Sequence, residues 1–151
     1  MTKKTPILMW FRRDLRLSDH AALTAACASG RPVIPLFIHD DLVAKLGAAP
    51  KWRLGLGLGA LADALEVQGS RLILRQGADA LSVLRRLIEQ PGAESVYWSR
   101  LYDPAIVERD TVIKETLKEQ GIEARSFGGH LMFEPWSVET KPGGSYKVYT
   151  P

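Results

Sequence analysis

The sequence predicts an α/β fold in which a doubly wound, five-stranded parallel sheet carries helices on both faces. Short apolar runs that read as strands alternate with helical leucine and alanine spacings roughly every thirty residues, the length of a βαβ unit. No hairpin signal lies between successive strands, so they pair in parallel through crossovers. At 151 residues and 46% apolar composition, a single domain buries most of the surface its unfolded chain exposes.

Residues 6–10, PILMW, form a continuous apolar run between lysines and arginines, as a strand covered on both faces does. Asp19 reads as the N-cap of an alanine-rich helix from His20 to Ala28, closed by Gly30. The second strand is Pro32 to Ile38. From Lys51 to Gly69, Leu54, Leu58, Leu61 and Leu65 recur at helical spacing and make the second helix. Arg71 to Leu74 is the third strand, Asp79 to Gln90 a helix bearing Leu81, Leu84 and Ile88, and Ser95 to Trp98 the fourth strand. Pro104 opens the last helix, in a first turn where its missing N–H costs little, and Gly121 ends it. Ile122 to Phe127 is the fifth strand. Right-handed crossovers then give a Rossmann-like sheet, whose ligands bind beyond the carboxyl strand ends. Residues 1–130 form this α/β domain. After Phe127 the text turns rich in Gly and Pro, with aromatics of no period, so residues 131–151 read as the start of an interdomain linker.

Composition removes several classes. One cysteine, Cys27, and three histidines build neither a disulfide framework nor a clustered metal site, and Cys27 among alanines reads as a small buried apolar residue. The opening apolar run is too short for a signal peptide, and no stretch approaches the ~20 apolar residues of a membrane span, so the expectation is a cytoplasmic protein without membrane contact. Lys plus Arg number 20 against 17 for Asp plus Glu, a small excess that is compatible with nucleic acid without demanding it.

Two motifs invite chemistry. Gly55, Gly57 and Gly59 lie at the wrong spacing for a dinucleotide loop and follow no strand, so they belong to a helix that permits close approach. WFRRDLRL, at residues 10–17, ends the first strand with three arginines and an aspartate beside two aromatics. That suits either an arginine–aspartate network or an anion contact.

The longer string WFRRDLRLSDHAAL resembles the opening of the photolyase/cryptochrome family, W-[FH]-R-x-D-L-R-L-x-D-[NH]. The likeness continues through RPVIPLFIHD, GSRLILRQGADA, VYWSRLYDP and the final SYKVYTP, and so covers the whole chain. The resemblance implies the N-terminal domain of a blue-light-dependent deoxyribodipyrimidine photolyase, a carbon–carbon lyase that repairs pyrimidine dimers in DNA. In that family this domain holds an antenna chromophore, a reduced folate or a deazaflavin and sometimes a flavin, which passes energy to FAD in a larger C-terminal helical domain. The implied catalytic set and FAD cradle lie in that helical domain, so this chain carries no catalytic residue, no metal, and no activity alone. Its implied partners are the FAD domain and, through the parent protein, dimer-containing DNA.

Carried onto this sequence, the resemblance implies an antenna crevice drawing on Phe11, Arg12, Phe37, Ile38, Arg53, Tyr102 and Asp103. It implies contacts to the helical domain at Arg13, Asp14, Arg16 and Tyr146 to Pro151. An Asn-Glu pair of folate-binding members is replaced by Ala105 and Ile106, and an acidic residue of deazaflavin-binding members by Leu101, so the two ring systems stay undecided. Two alternatives remain: a cryptochrome photoreceptor domain, and a stand-alone nucleotide-binding α/β protein, which would want a glycine-rich loop directly after a strand.

Overall fold

The computed structural model describes residues 4–140, 143 and 144; the contact expected at Tyr146 to Pro151 lies outside them. The elements run β1 (Ile7–Phe11), α1 (Ala21–Ala28), β2 (Val33–His39), α2 (Asp41–Ala44), α3 (Ala48–Val67), β3 (Ile73–Gln76), α4 (Ala80–Glu89), β4 (Ser95–Ser99), α5 (Pro104–Glu119) and β5 (Glu123–Phe127). All strands are parallel in the order β3-β2-β1-β4-β5, so the winding reverses beside β1.

β1 explains the layering. Every residue of it is buried, and the strand period of two sends Ile7, Met9 and Phe11 to one face and Leu8 and Trp10 to the other. The first group packs on Ala22 and Ala26 of α1 and Leu61 and Leu65 of α3. The second meets Val83, Leu84 and Leu87 of α4 and Ile113 and Leu117 of α5. Trp10 lies opposite Trp98 in register, with ring centres 6.0 Å apart in edge contact.

Four expectations change. His20, not Asp19, caps α1: Asp19 sits at φ 50, a left-handed turn, while His20 is extended and its Nδ1 accepts the Leu23 N–H at 3.2 Å. Cys27 is exposed, because Ala22 and Ala26, four residues apart, take the face that meets the sheet. β3 is paired over Ile73–Gln76 and not Arg71 to Leu74, because the apolar run marks what is covered and the ladder extends into the polar edge. The short helix α2 was not expected, and α3 begins at Ala48 with Pro50 in its first turn. The three glycines of α3 are helical. Gly57 alone meets a neighbour, since a Cβ there would stand 2.9 Å from Leu15 Cδ1. Among the described residues no helix is long and apolar enough to cross a membrane.

Two leucines test this layering. Leu36 is fully buried in β2, and Leu36→Ala should cost about 2–5 kcal/mol in urea unfolding. Leu74, 56% exposed on the edge strand, should cost no more than about 0.5 kcal/mol as Leu74→Ala. Equal losses would contradict the assignment of faces.

Candidate functional site

The carboxyl ends of β1 and β2 and the loop after β4 open into a crevice of about 790 Å³. Its floor is Trp10 with an ion network. Arg12, 7% exposed, donates to Asp110 and to the Ser99 carbonyl. Arg109 donates to Asp40 at 2.6 Å and to Asp110 at 2.9 Å. Both guanidinium carbons lie 5.0 Å from the Trp10 ring centre, within cation–π range. Burial pulls Arg12 below its ordinary pKa, and Asp110 works against that. Two cations and two carboxylates leave this floor without net charge.

The walls are apolar. Leu42, Val43 and Leu46, on and just after α2, face Pro50 and Leu54 of α3, and Leu101 and Ile106 complete the lining. Arg53 and Arg16 also line the crevice, and among the described residues neither has a carboxylate within ion-pair distance. Arg16 donates instead to the Asp19 carbonyl at 3.0 Å. The arrangement suits a flat, apolar ring system over the floor with an anionic substituent on the arginines.

The family model for DNA photolyase matches residues 7–151. The chain belongs to the DNA photolyase family. A deoxyribodipyrimidine photo-lyase of Agrobacterium fabrum is 47% identical, over 99% of this chain and 31% of the relative. Cryptochrome-2 of Arabidopsis thaliana is 37% identical, over 99% of this chain and 25% of the relative. The crystal structure of a bacterial class III photolyase from Agrobacterium tumefaciens superposes with a TM-score of 0.94 at 46% identity, over 99% of this chain and 31% of that one. An archaeal photolyase from Sulfolobus tokodaii, solved with two FAD molecules and implying a novel light-harvesting cofactor, gives 0.76 at 28% identity, over 90% of this chain and 32% of that one. The chain thus spans a third or less of the length of these relatives, and it matches their N-terminal α/β domain.

In this photolyase-family domain, four of the seven residues expected at the crevice line it: Arg12, Phe37, Ile38 and Arg53. Three do not. Phe11 points into the α1/α3 layer, 5.2 Å from the His20 ring. Tyr102 turns away and donates to Glu134 at 2.7 Å. Asp103 precedes α5 and accepts both Arg13 amino groups, at 2.8 and 3.3 Å. Sequence reasoning passed over Asp40, Arg109, Asp110 and the α2 side chains. An Asp-Asp pair directly after a strand is a helix-cap signal, whereas Arg109 and Asp110 look in sequence like a solvated helix face.

Asp14 was expected at an interdomain surface, but it is buried. It accepts the Arg12 N–H at 2.8 Å, and His20 Nε2 lies 2.7 Å from its other oxygen. Because His20 Nδ1 accepts the capping N–H, the ring proton sits on Nε2, toward the carboxylate. After β5 the chain folds back: Arg100 and Tyr102 hold Glu134, while Leu131, Met132, Phe133 and Trp136 stay exposed.

Burial alone would raise the Asp14 carboxyl, but the His20 ring beside it, the Arg12 amide that donates to it and the neighbouring Ser99 bring it down to about 2. A depressed folded-state pKa gives stability that is complete above the unfolded value near 4 and is lost as pH falls toward 2. Asp14→Asn should therefore cost about 2 kcal/mol at pH 7, and the gap to wild type should shrink between pH 4 and 2. Denaturant midpoints measured against pH check this. An unchanged gap across that window would refute the role given to Asp14.

Proposed function

We propose that the crevice holds the antenna chromophore of a light-dependent photolyase, and that the parent protein carries out deoxyribodipyrimidine repair with FAD bound outside this domain. The observation that carries this reading is the division of charge: an aromatic floor whose ions cancel, apolar walls, and two arginines, Arg53 and Arg16, with no carboxylate in ion-pair distance among the described residues. Members of the family bind flavin and an antenna chromophore. A reduced folate carries carboxylates, and a flavin or deazaflavin nucleotide carries phosphate, on a tail attached to its ring system, which is the division the crevice offers. When bound, the chromophore supplies light absorption. The chain's part is to stack the ring, keep water from it, and fix the tail on guanidinium forks.

A cryptochrome photoreceptor is the second reading, supported by the 37% identity to Cryptochrome-2. A dimer-repair assay of the full-length parent under blue light separates the two. Toward the rest of that parent, Arg13, Arg16 and the exposed group at Leu131, Met132, Phe133 and Trp136 are the proposed contacts, since a cluster of large apolar side chains left in water marks an interaction surface. Asp14, buried and holding the Arg12 amide, is not among these contacts.

Chromophore binding is tested by titrating a reduced folate, a deazaflavin and FAD separately into the full-length parent. Arg53→Ala should weaken whichever binds by roughly ten- to a hundredfold, the loss of one charge-assisted contact. Gly57→Leu should weaken binding, because Gly57 lines the crevice beside Leu15 and a leucine there would occupy it, whereas Gly59→Leu, outside the lining and facing open space, should not. Unchanged affinity in both Arg53→Ala and Gly57→Leu would remove the crevice as the site. For the joint, replacing Phe133 and Trp136 by Ser should leave this chain's stability within about 0.5 kcal/mol while lowering the parent's by more. Equal changes in chain and parent would refute the contact.

A further inference from the structure

We infer that Arg109 is a positioning residue for the α2 wall of the crevice and acts through Asp40. The inference rests on the reading that the crevice binds a chromophore. α2 has four residues and buries none of them, so it cannot hold its own place as a helix. Two contacts anchor its start. Asp40 Oδ1 accepts the Val43 N–H at 3.0 Å, and the Asp41 N–H reaches the Ala78 carbonyl at 3.3 Å, beyond the usual range for such bonds.

Asp40 is the stronger anchor, yet it is 3% exposed, and a single amide does not satisfy a buried carboxylate. Arg109 supplies the rest, with Nη1 2.6 Å from Asp40 Oδ2. Its Nε and Nη2 both hold Asp110, the same carboxylate that Arg12 grips. A guanidinium fixed on one side by Asp110 fixes the Asp40 side chain on the other, and with it the cap of α2. The positions of Leu42, Val43 and Leu46 in the crevice wall are therefore set from α5, in a different part of the sequence.

The test compares Arg109→Gln with Asp40→Asn in the full-length parent. Arg109→Gln leaves both cap atoms, Asp40 Oδ1 and Val43 N–H, in place, so a purely local capping role would not respond to it. Expected is hydrogen exchange of the Val43 to Leu46 amides faster by roughly tenfold or more in both variants, with β1 and β4 amides unchanged, and chromophore affinity weakened by a similar factor. Unchanged exchange at Val43 to Leu46 in Arg109→Gln overturns the inference. So does faster exchange with undiminished affinity. If wild type binds no reduced folate, deazaflavin or FAD, the antenna reading fails on its own account, and the exchange comparison alone decides whether Arg109 places α2.

Discussion

Arg12 is buried with its charge, and the carboxyl end of the sheet is organised around keeping it there. Moving a guanidinium out of water costs several kcal/mol unless its donors are met. Asp110 and the Ser99 carbonyl take its two amino groups and the face of Trp10 lies beside it, while Nε has no hydrogen-bond partner among the described residues. Each partner is itself held: Asp110 by Arg109, Arg109 by Asp40, and the turn after β1 by Asp14, which takes the Arg12 amide. One buried charge thus links the ends of β1 and β4, the turn from β2 into α2, and α5. Removing any single member would strand another, which is why the network behaves as a unit and not as separate pairs.

The position of that network follows from topology. In a sheet wound outward in both directions from β1, the connections leaving β1 and β4 part company at their carboxyl ends, and a crevice opens there without any special device. What the sequence adds is its lining. Trp10, next to last in β1, is covered by α4 and α5, while the arginines that follow Phe11 leave the sheet and must find partners.

The fold was legible because it rests on periodicities: five apolar runs and four strong helical spacings, separated by Gly, Pro and Asp punctuation. Where the reading slipped, a tertiary contact decided the matter. Asp19 is the better N-cap by residue type, but Asp14 draws His20 into that place from five residues upstream of Asp19. α2 carries too short a pattern to register. The crevice was legible at Arg12, Phe37, Ile38 and Arg53, which strand ends and the start of a helix place directly. Tyr102 and Asp103 sit at an equally suitable strand end, yet Glu134 and Arg13 draw them off, and no local pattern announces a partner more than thirty residues away. Arg109 and Asp110 were hidden for the converse reason: adjacent opposite charges on a helix look like a solvated face until another element buries them.

A floor whose charges already cancel sets a condition on whatever lies over it. A ring that brought its own net charge to that depth would be an unpaired buried ion, so its charge must sit toward Arg53 and Arg16. The condition says nothing about which neutral ring is present, because reduced folates, deazaflavins and flavins can all meet it. In this reading the choice among them falls to the walls, to the spacing between α2 and α3 and to the clearance that Gly57 leaves beside Leu15. Those features are set by a four-residue helix and one missing Cβ, so the ring could change while the ion network that holds the sheet ends together stays as it is.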